Sequence, residues 1–409
     1  MILPRRTLAK ANSHTILKML LMGGMALSAI SGPALAQEPA PAPPSATPTP
    51  AVPEAEEATT ATMAAATPRW AFIRGSYGMN GTRVFDGETG KMKGLIDTSA
   101  RSDMAIDPNG KYYYVSESLW TEGDRGDRHD MVTIYDSKSL ERLGKIVMPG
   151  RLIVGNRKQN FVISNDGKLG YIYNMQPSSS VNVVDLAKRK FVKTIELPGC
   201  ATLFPTPGDG FSALCSDGSL ATVSLTGTKS TVKHSAPFFS ASEDPIFDNG
   251  VIDRAKSEAL FLTYTGLVYQ VKLGGEPQIG APWSIQQAAG LRKGDTAPLD
   301  VNWFPGGRQP MAIHRPTGHL YVLMHVGEYW TQKEEGTEVW VFDIATHKLI
   351  GRHELPEAAA NIEVSQDEKP LVFVNEGKGK TWVLDGATFE EKHNIERAGG
   401  GLISVIEPR

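Results

Sequence analysis

The chain holds two cysteines and nine histidines, and neither set has the spacing of a metal or redox centre. Cys200 and Cys215 stand 15 residues apart. There is no Cys-x-x-Cys or haem-attachment motif, and two cysteines do not make a thiolate metal site. The histidines are scattered. His314 and His319 flank a turn and His325 ends an apolar run, positions that suit packing or surface roles better than ligation. No Gly-x-Ser-x-Gly elbow, phosphate-binding glycine loop or His-Glu-x-x-His pattern occurs. The expectation is a chain with no catalytic residue and no metal of its own. What the cysteines can do is cross-link. They end two short apolar runs in LPGCATLFPTPGDGFSALCSDGSL, with the turn formers Pro205 to Gly210 between them. Apolar run, turn and apolar run read as a β-hairpin. A disulfide across its open end contributes roughly 3 kcal/mol by restraining the unfolded chain. The alternative is a pair of free thiols packing as small hydrophobes.

The elements that position these residues are short strands. An apolar run ending in Asp, then a turn, then a second run recurs at Asp86, Asp136, Asp185, Asp343 and Asp385. Degenerate copies are centred on Ser224 and Leu273. The seven marks lie 39–50 residues apart except for one interval of 70, which holds an insertion around 288–307. Four strands per unit at that period predict an all-β fold, a seven-bladed β-propeller over residues 69–409. An irregular β-sandwich is the alternative. Each Asp sits where its side chain bonds the backbone two residues on, so these carboxylates are structural. The last apolar run, LISVIEP, is placed to close the ring against the first blade near Trp70–Ile73.

Residues 1–36 read as an export signal. Arg5, Arg6, Lys10 and Lys18 precede an apolar run, and Ala34-Leu35-Ala36 is a small-x-small cleavage pattern. Removing it takes the net charge from −3 to −7. The apolar run is too short to span a membrane, so neither a membrane anchor nor a nucleic-acid partner is expected. Export to a periplasm suits paired cysteines. Residues 37–68, rich in Pro, Ala, Thr and Glu, have almost nothing to bury and read as a disordered linker.

Three stretches look over-specified for a plain scaffold. TEGDRGDRHDMVTIYD packs Arg125, Arg128 and His129 into a polar loop before a strand. LDVNWFPGGRQPMAIH places Trp303, Phe304 and Arg308 around a Pro-Gly-Gly turn, and HVGEYWTQKEEG adds Tyr329 and Trp330. Aromatic and Arg residues on loops are typical interface anchors.

These stretches, with VNVVDLAKRKFVKTIELPGCATLFPTPGDGFSALCSDGSL and VSQDEKPLVFVNEGKGKTWVLD, resemble the heavy subunit of the quinoprotein amine dehydrogenases, the methylamine and aromatic amine dehydrogenases. The resemblance covers nearly all of 69–409. It implies a seven-bladed propeller paired with a small, disulfide-rich light subunit in a two-plus-two heterotetramer. It places the cofactor, tryptophan tryptophylquinone, and the catalytic base on that light subunit. It implies oxidation of a primary amine to an aldehyde with release of ammonia, and a periplasmic blue copper acceptor of the amicyanin or azurin type. In this reading Arg125, Arg128, His129, Trp303, Phe304 and Arg308 face the light subunit. The family carries a Phe in the first blade that lines the substrate channel. Here FIRGSYGMNGTRVFD is shorter and lacks it, so Tyr77 or Met79 is the nearest counterpart. Two other readings are a stand-alone periplasmic propeller that binds a ligand or protein, and an enzyme with a metal or free quinone on its axis.

Overall fold

A computed structural model describes residues 61–76, 79–151, 157–227 and 229–407. Residues 1–36, read from the sequence as an export signal, residues 37–60 and Tyr77 lie outside these. The described chain is almost all strand, and its one α-helix is the short Ile285–Ala288. The strands form seven antiparallel sheets, the blades of a seven-bladed β-propeller. The innermost strands of blades two to seven are Ser102–Ile106, Phe161–Ile163, Cys200–Pro205, Val251–Asp253, Met311–His314 and Asn361–Val364. Blade one takes its innermost strand from the far end of the chain. Ile403–Ser404 pairs with Trp70–Arg74, setting Ile73 opposite Ile403 and Phe72 opposite Ser404. This is the ring closure that LISVIEP predicts.

The apolar runs are nearly continuous because both faces of a blade are covered. Seven apolar clusters fill the spaces between neighbouring blades. A single strand feeds two of them. In Ser180–Asp185, Val181 and Val183 enter the cluster shared with blade four. Val184 turns the other way, into the cluster shared with blade two. Side-chain alternation along a strand does this directly.

The Asp marks end the third strand of their blades, and each begins the same turn. Asp136 Oδ1 accepts from the Lys138 and Ser139 N–H groups at 2.8 and 2.9 Å. Asp385 Oδ1 does the same for Ala387 and Thr388, at 2.9 and 3.1 Å. Backbone bonds of this kind hold both carboxyls below the usual carboxylate range. Two further features accompany the mark in all five copies. The ladder shifts register one or two residues before the Asp. Four residues after it the backbone is left-handed, at Gly90, Leu140, Arg189, His347 and Phe389. Only the first of these is glycine, the residue that adopts this conformation without strain.

The described part of the chain starts ahead of residue 69. The Met63 N–H donates to the Lys138 carbonyl at 2.9 Å, and Met63 and Ala66 lie against the cluster between blades one and two.

Candidate functional site

Strands in a blade alternate in direction, which sorts the connections by end. Turns between first and second strands, and between third and fourth, lie at one end of the propeller. Turns between second and third strands, and the links between blades, lie at the other. Cys200 and Cys215 lie toward the second end, directly opposite each other across blade four and joined as a disulfide. His234 Nδ1 approaches Cys215 Sγ at 4.0 Å, but sulfurs committed to a disulfide are not thiolate ligands.

Met79, Arg125, Arg128, His129, Trp303, Phe304 and Arg308 all belong to this second end. Their surroundings differ. The stretch expected as a polar loop is instead strand. Tyr112–Glu122 and Arg125–Asp136 form a long hairpin, with Leu119 opposite His129 and Glu122 opposite Arg125. Cross-strand pairing carries the ladder beyond the body of the blade, so only Gly123 and Asp124 turn. Arg125 and His129 are exposed on it. Arg128 is engaged: it donates to Asp130 Oδ1 at 2.9 Å, to the Arg151 carbonyl at 2.8 Å and to Gln176 Oε1 at 3.3 Å. It ties the hairpin to the start of blade three.

The insertion also contains strand. Asn302–Pro305 pairs with the far end of His319–Gly327. Phe304 is therefore turned inward, at 3% exposure, against Tyr329. Trp303 is half-buried, 5.4 Å from the Trp340 ring, with the Arg352 guanidinium over both indoles. Arg308 is exposed. Met79, half-buried, closes a tight turn by donating its N–H to the Ser76 carbonyl at 2.9 Å. His314 uses both ring nitrogens, on Thr317 Oγ1 and the Asp367 carbonyl, and His325 is buried with Nε2 on Thr331 Oγ1.

What residue spacing did not single out is apolar surface. Leu299, Val326 and Trp330 are 84%, 56% and 54% exposed at this end, where blade six also exposes Val301; Leu119 and Met175 are exposed at the same end on blades two and three. Trp330 sits at a φ of 72°, packed edge-on to Tyr264 and 4.6 Å from the Tyr329 ring. A bulky residue there costs of order 1–3 kcal/mol and persists only where its surroundings enforce it. The other large exposed apolar residues, such as Met92 and Val147, sit on outermost strands. Apolar residues gathered on loops, with polar hairpin residues at the rim, have the composition of a protein interface.

At the opposite end a cavity of about 380 Å³ follows the axis, walled by Ile106, Phe161, Ile163, Ile252, Ile313 and Val405. Two charge clusters enter it. Lys158 Nζ meets Glu363 Oε2 at 2.5 Å. Glu407 accepts from Arg254 Nε and Arg315 Nη2, each at 2.9 Å.

The described residues thus form a seven-bladed propeller with one disulfide-closed blade and exposed apolar residues at one end. Residues 77–406 match the methylamine dehydrogenase heavy chain family, so the chain belongs to that family. It is 28% identical to the methylamine dehydrogenase heavy chain of Methylophilus methylotrophus over 330 residues, 80% of this chain and 79% of that one. It is 29% identical to that of Paracoccus versutus over 322 residues, 78% and 74% of the two chains. Among solved structures, a functionally unknown protein from Desulfotomaculum acetoxidans aligns with a TM-score of 0.57 at 11% identity, covering 83% of this chain and all of that one. Dihydro-heme d1 dehydrogenase NirN aligns at 0.53 and 14%, covering 85% and 77%. At such identities these likenesses speak to the fold alone. Among the described residues no helix is long and apolar enough to cross a membrane.

Proposed function

We propose that this chain is the heavy subunit of a periplasmic, tryptophan tryptophylquinone-dependent amine dehydrogenase, and that its apolar loop end holds the light subunit. The observation that carries the reading is the family match across residues 77–406 of a propeller that exposes Leu299, Val301 and Trp330 on loops at one end. A primary amine and water become aldehyde and ammonia, with two protons and two electrons released. The electrons pass to a blue copper protein.

The quinone requires two indoles open to a substrate. Trp303 and Trp340 approach each other, but Trp340 is fully buried and donates its Nε1–H to Glu338 Oε2 at 2.7 Å, while Arg352 covers both rings. This pair does not fit the cofactor. The part left to this chain is to bind and orient the light subunit and to shape the way in. The first-blade loop with Tyr77 and Met79 is the proposed lining of that path.

Leu299→Asp and Val326→Asp test the docking surface. Each adds a charge to an exposed position, so the isolated chain keeps its thermal midpoint. Titration of the light subunit is expected to show affinity reduced at least tenfold. Wild-type affinity in both variants would move the interface elsewhere.

A further inference from the structure

We propose that the axial cavity is a binding site for small organic carboxylates with an apolar body, and that Glu407 now fills its anion seat from within the chain. Arg254 and Arg315 come from neighbouring blades and converge on one carboxylate. Neither depends on that carboxylate for its position. Arg254 Nη1 also donates to the Ile163 carbonyl and to Asn165 Oδ1, both at 2.9 Å. Arg315 donates to the Ile252 carbonyl through Nε at 3.0 Å and Nη2 at 2.6 Å. Two guanidiniums fixed by other partners form an anion site with or without its occupant.

Glu407 stands in for an external ligand because of where it lies. Residues 405–407 run on past Ile403–Ser404 and make no ladder pairing. The Glu407 side chain keeps 35% of its surface open, deep as it is, because it faces the cavity. Burial opposes its charge, but Arg315 and Arg254 outweigh that and hold it below the usual range for Glu. The remaining cavity charges do not compete for the seat. Lys158 is paired with Glu363, and Asp107 accepts the N–H groups of Asn109 and Lys111 at 3.0 and 3.1 Å. Beside these polar groups, with Gln159 and Asn165, the walls carry the apolar side chains of Ile106, Phe161, Ile163, Ile252, Ile313 and Val405, and about 380 Å³ falls in the size range of small-molecule sites. The ligand class follows: one carboxylate on the arginines, with a hydrocarbon or aromatic body against Phe161, Ile163 and Ile313.

An internal competitor acts at an effective concentration on the order of millimolar for a short tether. External carboxylates are therefore expected to bind weakly to the wild-type chain and much more tightly once Glu407 is neutral. The test is benzoate binding by ligand-observed NMR, with benzyl alcohol as the uncharged control, on full-length wild type, Glu407→Gln and Glu407→Asp. Glu407→Gln is expected to bind benzoate at least tenfold more tightly than wild type, with benzyl alcohol unchanged. Glu407→Asp keeps the charge on a shorter arm and is expected to fall between, which also serves if the Gln variant folds poorly. Adding Arg315→Gln is expected to abolish the gain. Equal benzoate affinity in wild type and both variants would overturn the proposal, as would equal gains for benzoate and benzyl alcohol. Either result would leave Glu407 as a clasp that only closes the ring.

Discussion

The recurring Asp turn shows what one residue does here. Asp136 and Asp385 each collect two backbone N–H groups that would otherwise lack partners, so Asp→Ala at either site is expected to cost about 1 kcal/mol in urea unfolding. Their carboxyls sit lower when folded than when unfolded. The stability they contribute is fully present above about pH 4, the unfolded Asp range, and is lost as pH falls through the folded value. An acid titration of the Asp136→Ala, Asp385→Ala variant is expected to show a shallower loss of stability below pH 4 than wild type. A parallel loss would contradict the assignment. The left-handed position four residues on separates strain from packing. Arg189 has an exposed side chain there, with one hydrogen bond to the Leu143 carbonyl at 3.1 Å. Arg189→Gly is expected to be neutral or to gain up to about 1 kcal/mol. Leu140, at the same place in blade two, packs into the cluster between blades one and two. Leu140→Gly is expected to destabilise by 2 kcal/mol or more, since lost burial outweighs relieved strain, by roughly the scale of large-to-small core changes. Thermal melts of the two variants should move in different directions.

At the scale of elements, what was legible in the sequence was what is local. The Asp turns, the Cys200–Cys215 hairpin and the closing run at Ile403 each declare themselves within about twenty residues, because turn chemistry and strand alternation act over that span. The disulfide joins the first two strands of blade four, so replacing both cysteines with serine is expected to cost about 3 kcal/mol while leaving the seven sheets in place. Reductant-dependent melting of the wild type, absent in the double variant, is the check. The misread elements were long-range in origin. The Arg125 stretch looked like a loop because it is polar on both faces, yet it is strand because a partner strand extends equally far. Phe304 looked like a loop anchor because Pro-Gly-Gly follows it, yet pairing with His325 turns it inward. Of the apolar loop end, only Trp330 stood out in the sequence. Val326 and Trp330 come from the end of His319–Gly327 and the loop after it and Leu299 from the insertion, and the pairing of Trp303 with Val326 within blade six brings them to one end.

At the scale of the molecule, the account separates scaffold from chemistry. Strands buried on both faces and a ring closed by the chain's own end build a rigid platform. One end exposes Leu299, Val301, Val326 and Trp330, and the axis holds a cavity walled by both charged and apolar side chains. Given the family match, the partner we propose is an amine dehydrogenase light subunit, and the seat we propose for the quinone is on that subunit. The most direct test of this division is to purify the chain from its native cells under mild conditions and record its subunit masses and visible spectrum while adding primary amines. The account predicts a small, cysteine-rich second subunit and a quinone band that bleaches with amine, with every mass of the propeller chain unmodified apart from signal removal and the disulfide. A colourless propeller isolated alone, or a quinone mass shift found on this chain, would contradict it.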